Sequence, residues 1–88
     1  MLGQQSSERA LESAIRRFVL HRYNLKSELI RESRIDSYKI DYILMCQDFK
    51  GNKFKLVIDQ NDVGPARQKD MINSIKREMQ NQYPELML

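Results

Sequence analysis

The sequence predicts a small α+β domain: a three-stranded antiparallel meander with N-terminal and C-terminal helices on one face, in the order α-β-β-β-α. Three observations carry this. Apolar residues recur at helical spacing from Leu11 to Val19 and again from Met71 to Met79. Between those stretches, Tyr38 to Ile58 alternates in strand fashion about a turn-forming Asp48-Phe49-Lys50-Gly51-Asn52. The chain has 88 residues, room for one domain over 1–88 with a modest core.

The first helix is expected from Ser7 to His21, with residues 1–6 loose before it. Ser7 can cap the free amides, and Glu8 and Glu12 suit the positive helix end. Leu11, Ala14, Ile15 and Phe18 share one face, with Val19 at its edge. Arg9, Arg16 and Arg17 fall opposite, and Glu12 to Arg16 is a favourable pair one turn apart.

Residues 25–35 admit two readings. Leu29 and Ile35 interleaved with Arg31 and Ser33 suggest a half-buried edge strand. Asn24 capping Leu25 and Leu29 would instead open a short helix. The strand is preferred, because Asp36-Ser37 reads as a tight turn feeding Tyr38.

Strands from Tyr38 to Gln47 and from Lys53 to Asp59 form the hairpin. A two-residue turn on Gly51-Asn52 would oppose Gln47 to Leu56 and Met45 to Ile58. A three-residue loop, with Asp48 opening a type I turn and Gly51 left-handed, opposes Cys46 to Phe54, Leu44 to Leu56 and Tyr42 to Ile58. The second register is chosen because it makes one uniform apolar face of Ile40, Tyr42, Leu44, Cys46, Phe54, Leu56 and Ile58. Ile43, Met45 and Val57 then lie on the reverse face, bordered by Lys39, Asp41, Lys53 and Lys55. One layer of helices hides only one face of a sheet.

Gly64-Pro65 is expected to open the last helix, proline suiting the first helical position. Met71, Ile72, Ile75 and Met79 form its stripe, Tyr83 closes it and Pro84 stops it. Residues 84–88 make an apolar C-terminal tail carrying Leu86 and Leu88.

Composition narrows the function classes. Fifteen Lys and Arg against twelve Asp and Glu give a net charge of +3, too mild for a dedicated nucleic-acid tail. Cys46 is the lone cysteine, so an intrachain disulfide is excluded and zinc-site spacings are missing, which favours a reducing, cytoplasmic setting. The first six residues lack the basic start and apolar run of a secretory signal. No apolar segment approaches the roughly 20 residues that span a bilayer, so no membrane partner is expected.

Catalytic signals are weak. His21, the only histidine, reads as a surface residue near a helix end, and Cys46 as a small core group. Asp59-Gln60-Asn61-Asp62-Val63-Gly64, with Asp70 beyond, partly echoes a calcium loop, but Val63 and Pro65 stand where ligands belong. No catalytic, metal or cofactor role is assigned, and no enzyme activity is expected.

Two binding roles follow. The leading one is a non-catalytic interaction module that homodimerises, or docks on a larger protein, through Lys39, Ile43, Met45, Lys53, Lys55, Val57, Leu86 and Leu88. The alternative is a small basic RNA- or DNA-binding domain using Arg9, Arg16, Arg17, Phe49, Lys50, Lys53 and Lys55. The element order is similar to that of double-stranded-RNA-binding domains. The basic cluster at the last helix start is reduced here to Arg67 and Lys69 beside Asp70.

Overall fold

The computed structural model describes the backbone of residues 2–33 and 40–87 and the side chains of residues 8–31 and 41–85. Helix α1 (Leu2–Tyr23) is followed by strands β1 (Lys26–Ser33), β2 (Ile40–Gln47) and β3 (Lys53–Ile58), a 3-10 turn (Gln60–Asp62), helix α2 (Arg67–Gln82) and a second 3-10 turn (Pro84–Met87). The sheet is antiparallel in the order β1-β2-β3, the meander that the alternation predicts.

α1 starts well before the expected Ser7. Residues 2–6, expected to be loose, are helical, and Ser7 lies inside the helix instead of capping it. Extending a formed helix needs no new nucleus, and Gln4 and Gln5 are good helix formers. The other end stops at Asn24, whose φ of 58° is the left-handed conformation that closes helices. Its N–H still donates to Leu20 O at 2.9 Å. Asn24 therefore ends α1 and does not open a second helix, and residues 26–33 form a strand.

The hairpin adopts the three-residue loop. Cys46 opposes Phe54, Leu44 opposes Leu56 and Tyr42 opposes Ile58. Asp48 N–H donates to Asn52 O at 3.0 Å, and Gly51 N–H donates to Asp48 O at 3.2 Å. Gly51 sits at φ 96°, which a side chain would strain. The Asp48 carboxylate accepts from Lys50 N and Asn52 N, both at 2.9 Å, and from Asn52 Nδ2 at 2.9 Å. These bonds, that from the Asn52 side chain above all, hold its pKa below the ordinary value.

α2 begins at Arg67, not at Pro65. The reason lies in Asp70: its Oδ2 accepts from Gly64 N at 2.8 Å, which holds Gly64 outside the helix and leaves Ala66 as the cap. The helix ends at Gln82 before Pro84, as expected, and Tyr83 N–H donates to Met79 O at 2.8 Å.

Both helices cover the same sheet face, α1 over β1 and α2 over β3, and they touch each other. The buried core joins Leu11, Ile15 and Val19 of α1, Leu44, Leu56 and Ile58 of the sheet, and Met71, Ile75 and Met79 of α2. Leu25, just ahead of β1, is also buried. Tyr83 stacks on Phe54 with ring centroids 4.3 Å apart, closing the β3 end of the core.

Candidate functional site

The hydrogen-bond register fixes which side chains share the reverse face. Its rows read Lys26, Gln47, Lys53; then Glu28, Met45, Lys55; then Ile30, Ile43, Val57; and last Asp41, opposite Glu32 in the register. Neither α1 nor α2 packs there. Val57 is 52% exposed, Ile30 40% and Met45 37%, and Ile43 is half-buried between its cross-strand neighbours. The expected reverse-face residues Ile43, Met45, Val57, Lys53 and Lys55 are thus brought onto one surface. A shallow depression of about 410 Å³ runs over it between Ile30, Met45 and the Lys26 and Lys53 stems. Lys39 and Leu88 lie outside the described residues, as does the side chain of Leu86. The Pro84–Met87 turn packs its backbone back against α2.

Ile30 is the member that sequence reasoning left out. Leu29 and Ile30 are adjacent apolar residues, so one must point away from the helices. Leu29 packs against the core and Ile30 takes the outer face. The paired apolar residues of β2, Ile43 beside Leu44, carry the same signal.

The cations proposed for nucleic acid do not form one surface. Arg16 is tied to Glu12 at 3.2 Å. Lys53 and Lys55 lie on the outer sheet face, whereas Lys50 and Phe49 sit at the hairpin tip. Phe49 is 59% exposed with Lys26 Nζ 5.5 Å from its ring. Arg9 borders a polar cleft of about 880 Å³ at the other end of the sheet, with Glu8, Arg31, Tyr42 and Arg67. In that cleft Arg67 donates to Glu8 Oε1 and to Tyr42 Oη, each at 2.8 Å, and Arg31 lies 3.8 Å from the same carboxylate. The Glu8 carboxylate, and then the Tyr42 hydroxyl, hold the Arg67 pKa above its ordinary value.

Arg17 belongs to a different assembly. It lines a groove along the outside of the helix pair with Phe18, His21, Arg22, Gln68 and Ile72. The groove continues past Gln68 and Ile72 to Lys69 and Lys76.

The groups considered for chemistry lie apart. His21 is exposed on α1, whereas Cys46 is buried on the sheet under the helices. Burial pushes the Cys46 thiol up to about 11, which keeps it protonated at neutral pH. Asp59 accepts from Asn61 N at 2.9 Å, Asp62 pairs with Arg77 at 2.9 Å, and Asp70 holds Gly64 N, so each acid of the calcium-like stretch serves a local contact. Among the described residues, no cluster of three His, Cys, Asp or Glu could hold a metal ion, and no helix is long and apolar enough to cross a membrane. No protein-family model, curated protein or solved structure matches this chain.

Proposed function

We propose that the protein is a non-catalytic interaction module that pairs with a second copy of itself through the outer sheet face. The observation that carries this is the exposed row Ile30, Ile43 and Val57 with Met45 beside it, on the side of the sheet that neither helix covers.

Charge pattern favours a second copy over an unrelated partner. Take a two-fold axis along β2, between two sheets stacked face to face about 10 Å apart. Each β1 then crosses the other copy's β3, at the same level along the strands. Glu28 and Lys55 are the outer members of one row, so Glu28 of one copy faces Lys55 of the other, twice per dimer. Met45 meets its own symmetry mate and Ile30 meets Val57. Lys26 and Lys53 oppose each other at one rim and Asp41 meets its own mate at the other, like charges that salt screens.

Magnitudes make the pair weak. The exposed parts of Ile30, Met45 and Val57 amount to roughly 200 Å² per copy, or about 10 kcal/mol for two copies at about 25 cal/mol per Å². Association costs about 4–15 kcal/mol before contacts are counted. A concentration-dependent dimer follows, near the lower end of specific interfaces. The lone buried thiol fits a cytoplasmic setting for such a module.

Sedimentation equilibrium tests the reading. The wild-type chain should shift from monomer to dimer as concentration rises. Met45→Glu should hold it monomeric and melt like the dilute, monomeric wild type, since Met45 is already 37% exposed in the single chain. A wild-type chain that stays monomeric up to about 1 mM, beyond the range of specific association, overturns it.

A further inference from the structure

The second surface is the groove between the helices, on the opposite side of the molecule from the uncovered sheet face. Its floor is Ala14, Phe18 and Ile72, all half-buried. Its walls carry Arg17 and Arg22 from α1 and Lys69 and Lys76 from α2, with Arg67 at one end; among the described residues no acidic side chain lines it.

The ion pairs sharpen the contrast. Arg16, Arg31, Arg67 and Arg77 each have a carboxylate within 4 Å. Arg17, Arg22, Lys69 and Lys76 have none among the described residues, and Lys76 Nζ rests over the Phe18 ring at 5.8 Å. Four like charges held on two packed helices repel one another, and an anion lying along the groove relieves that repulsion.

We infer that this groove binds the phosphate backbone of a nucleic-acid duplex, without reading its bases. Charge density selects the occupant. The groove follows α2 from Gln68 to Lys76, about 12 Å at 1.5 Å per residue. A duplex carries one charge per about 1.7 Å of axis, or about seven over that length, enough to engage four cations from one side. A helical peptide of the same length offers about two turns, and the side chains facing the groove would have to supply both the carboxylates and the apolar filling. A single strand gains affinity from bases stacked on open aromatic faces. Phe18 offers no such face: Lys76 lies over it, and Tyr23 meets it edge to face at 5.9 Å.

The surface is independent of the sheet face, so the two readings fail separately. Fluorescence anisotropy with a 20-base-pair DNA duplex and an RNA duplex of the same sequence provides the test. Four phosphate contacts predict a slope of log K against log salt of about −3.6, an affinity loss of about 150-fold between 50 and 200 mM salt. Lys69→Gln with Lys76→Gln should halve that slope, and Arg17→Gln with Arg22→Gln should do the same from the other helix. Lys53→Gln with Lys55→Gln should leave it unchanged at protein concentrations where the chain is monomeric. Circular dichroism and melting confirm that each variant is folded. The inference is overturned by tighter binding to poly-glutamate than to either duplex, by no duplex binding at 50 mM salt, or by a slope that responds to Lys53 and Lys55 alone.

Discussion

Reversing one charge on the sheet face tests the two-fold arrangement more sharply than removing an apolar side chain. Within one chain Glu28 and Lys55 stand two strand spacings apart, about 10 Å, with Met45 between them. That is about one Debye length at physiological salt, so their coupling inside the monomer is small. Across the axis they face each other directly. An exposed pair contributes about 0.2–1 kcal/mol, and replacing attraction by repulsion doubles the change. Two pairs per dimer give about 0.8–4 kcal/mol, so Glu28→Lys or Lys55→Glu alone should weaken the dimer about 4- to 1000-fold. Mixing the two variants places lysine against glutamate at both contacts. The mixed pair should therefore associate as tightly as the wild type, while each variant alone associates more weakly. Sedimentation equilibrium with one variant carrying a dye reads all three constants. If the mixture associates no better than its separate components, and both remain folded, the axis along β2 is wrong.

Two further predictions concern the monomer. The folded state keeps the Cys46 thiol neutral up to about 11 against an ordinary 9, so stability is undiminished below pH 9 and falls as pH rises from there toward 11. The loss approaches about 3 kcal/mol. Urea titrations across that window should show it, and Cys46→Ala should flatten the fall; Tyr23, whose phenol burial also raises, contributes the same slope to both proteins. Gly51→Ala should lower stability by about 1–2 kcal/mol through its φ of 96°, because the added methyl meets open space and only backbone strain remains. Chemical denaturation that finds no change would show that the loop relaxes into another turn.

Most of the architecture could be read from periodicity. Tyr42, Leu44 and Cys46 on one strand and Phe54, Leu56 and Ile58 on the next allow a single register that puts all six against the helices, and that register forms. Leu11, Ile15 and Val19 likewise declare the inner face of α1, and Met71, Ile75 and Met79 that of α2. Element ends were less legible. The α2 start depends on a bond from Gly64 to Asp70, six residues apart, which helix-start statistics do not weigh. The outer sheet face was seen in β2 and β3, but Ile30 was missed because its partner Leu29 satisfied the strand pattern alone. The helix groove could not be seen at all. Arg17 and Lys76 are 59 positions apart, and each looks like an ordinary solvated cation until packing sets the two helices side by side.

The way the helices are laid down has a bearing on folding speed. Each rests on the strand next to it in the chain: α1 turns straight into β1, and β3 leads through one short turn into α2. The strands, too, pair only with their sequence neighbours. The sheet and each helix–strand contact are therefore made between neighbouring segments, whereas the packing of α1 on α2 brings the first helix to the last. Neighbour pairings of this kind close at low entropic cost and favour fast folding. The contacts of α1 with α2, among them the Arg67–Glu8 bond across 59 positions and Lys76 over the Phe18 ring, can close only after both halves have come together, which makes them markers for the last step of assembly.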